Sequence, residues 1–235
     1  MGGLLLLRRG ISGLGLAYGA ARAALNPRAL AVALALATPA AADTVTVAAL
    51  GDSLTHGYGV APEDAFPAQL ERWLRERGHD VAVVNAGVSG DTTAGGLARL
   101  DWTLTPEIDA VIVELGGNDL LRGIDPAASR ANLDAILSRL SERGLPALIA
   151  GLPAPGNYGP EFKRDFDAMF PDLAEKHGAI LYPNFMAGLG TTEDREAVRR
   201  LMQPDGIHPS PEGVAKIVED IGPKVEELIA RARAE

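Results

Sequence analysis

Three polar clusters follow apolar, β-rich runs in the chain: Gly51-Asp52-Ser53-Leu54, Gly87-Val88-Ser89-Gly90-Asp91 and Gly116-Gly117-Asn118-Asp119. A fourth, Asp205-Gly206-Ile207-His208, lies near the carboxyl end. A serine hydroxyl is a poor nucleophile until a base within hydrogen-bond reach takes its proton and a third group fixes the base's tautomer. Ser53 is the candidate nucleophile, His208 the candidate base, and Asp205, three positions earlier, the candidate orienter. Acyl transfer also needs N–H donors aimed at the oxygen that becomes negative, each commonly worth ~100–1,000-fold in rate. The N–H of Gly90, which no side chain obstructs, the side-chain amide of Asn118 and the N–H of Ser53 could meet that need. Taken singly, each cluster has a plainer reading as a helix cap, a turn, or an amide tying two loops.

Other polar residues carry less chemistry. His56 lies near Ser53 but has no acid at a suggestive spacing, so it is the minor candidate for base. His79 and His177 fall at helix-to-strand turns and read as solvated groups at the far edge of the sheet. Asp119 reads as a loop brace, Ser89 as a cap or backbone partner, and Trp73 and Trp102 as core or helix-face aromatics. Tyr158, in the loop Pro153-Ala154-Pro155-Gly156-Asn157-Tyr158, is the candidate substrate-binding residue, with a packed loop tyrosine as its plainer reading.

Positioning these groups requires a scaffold. Strands are expected at Thr44 to Leu50, Val81 to Asn85, Ala110 to Leu115, Ala147 to Gly151 and Ala179 to Tyr182. Helical stripes alternate with them: Phe66, Leu70, Trp73 and Leu74, then Leu133, Ile136, Leu137 and Leu140, and a last one from Val214 to Ile229 with a kink expected at Gly222-Pro223. Gly78 and Gly144 stand where helices end. Apolar runs of this kind, about 30 residues apart, predict five parallel strands covered by helices on both faces. In such a sheet ligands bind beyond the carboxyl ends of the strands, where all these clusters fall. The one long connection without expected structure runs from Asn184 to Ile207, a length more often functional than idle.

Composition narrows the function. The chain holds 235 residues, 47% of them hydrophobic, enough for a sizeable core. With 22 basic and 31 acidic side chains its formal charge is −9, which excludes the electrostatic footprint of a nucleic-acid binder. The absence of cysteine excludes disulfides, thiolate nucleophiles and thiolate-held metal centres. Residues 1–42 contain Arg8, Arg9, Arg22 and Arg28 and no acid, then an apolar run from Ala29 to Ala37 leading into Thr38-Pro39-Ala40-Ala41-Ala42. That is the layout of a signal peptide cut after Ala42, leaving a domain at 43–235 bound for the periplasm or the exterior. A retained anchor would need about 20 uninterrupted apolar residues, and the uncharged stretches Gly10 to Ala21 and Ala29 to Ala42 are shorter. The segment exceeds the usual ~15–30-residue signal, which leaves open a later start codon or a twin-arginine signal at Arg8-Arg9.

The four clusters, in this order and spacing, resemble the blocks of the SGNH (GDSL) esterase/lipase family. The wider stretches Asn85 to Gly96 and Gly151 to Gly159 resemble its bacterial periplasmic thioesterase I/lysophospholipase L1 and arylesterase subgroup. The resemblance implies a flavodoxin-like three-layer α/β/α fold, with Ser53 as nucleophile, His208 as base and Asp205 as orienter. It also implies an oxyanion hole from Ser53, Gly90 and Asn118, and hydrolysis of small-molecule acyl esters or thioesters without cofactor or metal. Two alternatives stay open: a non-catalytic ligand-binding domain on the same scaffold, and a carbohydrate acetyl-esterase. An α/β-hydrolase would need Gly-x-Ser-x-Gly, whereas Thr55 stands two residues after Ser53.

Overall fold

The computed structural model describes residues 44–190 and 195–234, so the expected export segment at 1–42 lies outside the described residues. In chain order the elements are β1 (Val45–Gly51), a one-turn α1 (Ser53–His56), α2 (Phe66–Glu76), β2 (Val81–Gly87), α3 (Thr93–Ala98), α4 (Leu100–Thr103), β3 (Ala110–Glu114) and α5 (Gly117–Arg122). They continue with α6 (Pro126–Glu142), β4 (Ala147–Ala150), α7 (Pro160–His177), β5 (Ile180–Tyr182), α8 (Arg195–Arg200) and α9 (Pro211–Ala232).

The strands form one parallel sheet in the order β2-β1-β3-β4-β5. The chain leaves β1 to one side for β2 and returns on the other side for β3, which makes the carboxyl end of β1 a topological switch point. Register makes the strand ends level there, with Gly51 opposite both Gly87 and Glu114. The three clusters that follow β1, β2 and β3 therefore start side by side.

Alternation along each strand divides the core into two layers. Val47, Ala49, Ile112 and Leu148 pack beneath α2 and α9, where Leu70, Leu74, Ile217 and Ile221 close the layer. Ala48, Leu50, Val113 and Ile149 face the other way, against Leu133, Leu137, Phe166 and Met169 of α6 and α7. Each fully buried Val, Leu, Ile, Phe or Met among them stabilises the fold by roughly 1.5–3 kcal/mol. This is the five-stranded parallel sheet with helices on both faces expected from the apolar runs, in the flavodoxin-like three-layer α/β/α form that the family resemblance implies. Gly78 and Gly144 have φ of 86° and 69°, the left-handed conformation that closes α2 and α6. α9 continues through Gly222-Pro223, and Gly222 has a packing reason: a Cβ there would lie 2.4 Å from a ring carbon of Trp73.

Several expectations are corrected. The connection from Asn184 to Ile207 contains a 3-10 turn at Ala187–Leu189 and the helix α8. Of the two readings of Trp102, core and helix face, the helix face holds: it lies on α4 and is 87% exposed. His177 is not solvated; its ring is largely covered, with Nε2 2.6 Å from Asp134 Oδ1. His79 is likewise partnered, 3.1 Å from Glu226.

Candidate active site

Ser53 begins α1 directly after β1. Asp52 caps this turn by accepting the N–H of Leu54 at 3.0 Å, and Gly57 closes it in the left-handed conformation, donating to the carbonyl of Ser53. The glycine before the cap is required, since a Cβ at Gly51 would fall 2.0 Å from Thr55 Oγ1. The chain turns this sharply because nothing larger fits, and the turn leaves Ser53 lining a cleft at the switch point.

His208 reaches that serine from the opposite end of the sequence. Its Nε2 lies 2.9 Å from Ser53 Oγ, and its Nδ1 lies 2.7 Å from Asp205 Oδ2. Asp205 Oδ1 accepts the backbone N–H groups of Ile207 and His208 at 2.9 and 3.0 Å, so the carboxylate orders its own loop. The imidazole of His208, then these two backbone donors, hold the Asp205 carboxyl down at about 2. Gln203 fastens the loop from behind: its side-chain amide donates to the carbonyls of Tyr58 and Pro209, and its N–H to the carbonyl of His208. Tyr58 packs on the His208 ring with centroids 4.6 Å apart.

Gly90 and Asn118 line the same cleft as Ser53 and His208. Gly90 sits in a turn at φ 87°, open to glycine, and its carbonyl accepts from Arg122 at 2.8 Å. Among the described residues its N–H donates to no other group, nor does that of Ser53. Asn118, in the first turn of α5, donates one amide hydrogen to Asp52 Oδ2 at 3.0 Å and has a second to offer. Asp119 braces the loop as expected, accepting from Thr93 and Ser129.

The cleft encloses about 410 Å³, and Leu120, Leu121, Leu152, Met186 and Ile207 give it apolar walls. Met186 also borders a second cavity of about 740 Å³, formed with Leu189, Val198 and Met202 from the Asn184-to-Gln203 segment. Tyr158 is outside the cleft wall; its hydroxyl donates to the carbonyl of Leu121 and its ring packs on Phe162. The tyrosine that lines the cleft is Tyr58, which the sequence reading passed over. Ser89 neither caps nor bonds backbone: its hydroxyl pairs with His56 Nδ1 at 3.0 Å, which occupies His56 away from Ser53. Sequence reasoning also missed Glu114, buried at the end of β3 and bonded to Thr55, although an acid inside the apolar run Ala110 to Leu115 was its signal. Among the described residues no group of three or more His, Asp or Glu is placed to hold a metal ion.

Comparison with known proteins gives the family of the chain. Residues 49–216 match the GDSL-like lipase/acylhydrolase family. The chain is 38% identical to esterase TesA of Pseudomonas aeruginosa over 209 residues, 88% of this chain and 100% of the relative. It is 36% identical to thioesterase 1/protease 1/lysophospholipase L1 of Escherichia coli, over 81% of this chain and 86% of that protein. Among solved structures it is similar to AlinE4, an SGNH-hydrolase family esterase, at 42% identity and a TM-score of 0.64, covering 79% of this chain and 96% of that one. A family match over most of the chain and relatives this similar across most of their length leave one conclusion: the chain belongs to the GDSL-like lipase/acylhydrolase family and is a serine hydrolase acting on esters.

Proposed function

We propose that the reaction runs through an acyl-enzyme on Ser53. In the neutral imidazole with its proton on Nδ1, His208 donates to Asp205 and presents Nε2 as acceptor to the serine hydroxyl. Ser53 Oγ attacks the carbonyl carbon as His208 takes its proton. The tetrahedral oxyanion is met by the N–H groups of Ser53 and Gly90 and the free amide hydrogen of Asn118. His208 then protonates the leaving alcohol or thiol as the bond to carbon breaks. Water, deprotonated by the same imidazole, attacks the acyl-serine carbonyl, and as the bond to Ser53 Oγ breaks His208 returns its proton to that oxygen, releasing the acid and restoring the free serine.

The observation that carries this reading is the unbroken series of contacts from Ser53 through His208 to Asp205, opening on a cleft that also holds Gly90 and Asn118. The apolar walls suit the acyl part of a small carboxylic ester or acyl thioester better than the hydroxyl-rich body of a sugar, so the carbohydrate acetyl-esterase reading is the weaker one. The test is Ser53→Ala. This variant should lose at least ~10⁴-fold in kcat toward short p-nitrophenyl esters and lose covalent labelling by a fluorophosphonate, while its thermal transition stays intact. Near-full activity would remove Ser53 from the mechanism. Parallel series of acyl esters and thioesters of increasing chain length then identify the preferred leaving group and acyl size.

The enzyme is further assigned to the periplasm or the exterior, with residues 1–42 removed as a signal and 43–235 as the hydrolase domain. The support is the arginine-flanked apolar run and the small residues Ala40 and Ala42 before the cut. Among the described residues no helix is long and apolar enough to cross a membrane. Amino-terminal sequencing of the exported protein should begin at Asp43; retention of Arg28 on it would refute the assignment.

A further inference from the structure

Beneath the cleft lies a pair of acids that the proposed steps do not use. Glu114, at the end of β3, is fully buried; its Oε2 accepts the hydroxyl of Thr55 at 2.8 Å and the N–H of Asp52 at 3.4 Å, while its Oε1 has no hydrogen-bond partner among the described residues. Asp52, 2% exposed, accepts Leu54 N–H on Oδ1 and the Asn118 amide on Oδ2. The Asp52 N–H contact makes the two acids immediate neighbours. Space for them is built in, since a Cβ at Gly51 would lie 2.8 Å from Glu114 Oε2 and one at Gly117 2.9 Å from Asp52 Oδ2.

Two carboxylates this close in a dry site cannot both be ionised. Burial, and then the Asp52 charge, push the Glu114 carboxyl well up. Burial also raises Asp52, but the Leu54 N–H, the Asn118 amide and the facing His208 draw it back. The proton therefore belongs to Glu114. An O–H buried there needs an acceptor, and Asp52 is the acid beside it, which gives Oε1 its missing partner. Asp52 then accepts from Glu114, Leu54 and Asn118 together. Only one orientation of the Asn118 amide is compatible with this: turned over, its carbonyl oxygen would face a carboxylate.

We propose that Glu114, as a neutral acid donating to Asp52, and Asp52, as acceptor for Asn118, are positioning residues that make the cleft see an amide N–H of Asn118 and not its C=O. The inference rests on the reading of Asn118 as an oxyanion donor, and the experiment separates the two.

The kinetics of Asn118→Ala, Asp52→Asn and the double variant decide the matter. Asn118→Ala should lower kcat by ~100-fold with little change in KM. In Asp52→Asn one acceptor becomes an NH₂ group, the Asn118 amide turns over, and kcat should fall ~10–100-fold with KM within about twofold. Because both act through one amide, the double variant should sit within about twofold of Asn118→Ala. Multiplying losses, or Asp52→Asn at wild-type kcat, would overturn the positioning role. Wild-type kcat in Asn118→Ala would instead refute Asn118 as donor, and the proposal with it.

Should Asp52→Asn fail to fold, Glu114 carries the same test. Glu114→Leu removes the donor to Asp52 and should lower kcat ~10-fold, and Glu114→Gln, which keeps an N–H to donate, should recover most of that loss; equal values for both would overturn the proposal. A pH series adds a second readout. The groups around Glu114 are Asp52, Thr55, His208 facing Asp52, and Arg99, whose guanidinium binds the Gly51 carbonyl. With its carboxyl raised in the fold, the wild type loses stability relative to the unfolded chain as pH climbs above the ordinary 4.5. Glu114→Gln has no such loss, so its Tm should gain on the wild type from pH 4 to pH 8. A pH-independent offset would mean that Glu114 is ionised in the fold and would sink the proposal.

Discussion

Asp205 is the most exposed member of the Ser53–His208–Asp205 series, its side chain 36% accessible against 14% for His208, yet it has three hydrogen bonds to keep it still. Replacing it with Asn turns an acceptor into a donor opposite His208 Nδ1 and favours the tautomer whose Nε2 bears the proton. The Asp205→Asn enzyme should therefore fall ~10²–10⁴-fold in kcat, while His56→Ala, which touches Ser89 and not Ser53, should stay within about tenfold of wild type. Stability should follow the same carboxylate. Because Asp205 is held down at about 2 in the fold, against 3.8 ordinarily, its contribution is present above pH 3.8 and is lost as pH falls toward 2. Melting curves should show Asp205→Asn below the wild type at pH 6, with the gap closing as pH approaches 2. The residues of the proposed mechanism could be singled out in the sequence because their types and order are rare in combination. Two of their supports could not: Tyr58 and Gln203 act through contacts as distant in sequence as Tyr58 on His208, which no local pattern records. Tyr158 takes its plainer reading, a packed loop tyrosine bonded to the Leu121 carbonyl and in ring contact with Phe162.

At the scale of elements, the imidazole depends on how α9 meets the segment before it. Ser210 caps α9 by accepting the N–H of Gly213, and its own N–H donates to the carbonyl of Leu201 at 2.8 Å. A Cβ at Gly213 would lie 2.1 Å from that carbonyl oxygen, which is backbone and cannot swing away. Gly213→Ala should thus cost ~1–3 kcal/mol through overpacking, more than the ~1 kcal/mol that alanine gains by helix propensity. The forced shift falls on the stretch from Leu201 to Ser210 that carries Asp205 and His208, so kcat should drop together with the denaturant midpoint. A stable variant with unchanged kcat would show that the loop is held independently of α9. Strands and long helices could be read in advance because each has an apolar period tied to burial. α8 could not: Arg195-Glu196-Ala197-Val198-Arg199-Arg200 has no apolar stripe, and none of its residues is buried. Trp102 stayed open between core and helix face for a related reason, because α4 is one turn long and too short to show which way it faces.

Taken whole, the molecule sets an apolar cleft into an acidic body. The strands end level, the cleft opens at their carboxyl ends, and its walls carry few charges of their own. The full chain has a formal charge of −9, and loss of the four arginines before Ala42 would make the remainder more acidic still. A field of that sign repels anionic substrates over distances set by salt, about 30 Å in 0.01 M and about 10 Å in 0.1 M. Two esters with the same acyl group, one with a neutral and one with a sulfonated leaving group, separate this effect from chemistry. At low salt kcat/KM for the anionic ester should be several-fold depressed, and the deficit should shrink as ionic strength rises from 0.01 to 0.1 M, while the neutral ester changes little. Equal salt responses would mean that the charges lie too far from the cleft mouth to be felt there, and that selection among esters is left to Leu121, Met186, Ile207 and their neighbours in the wall.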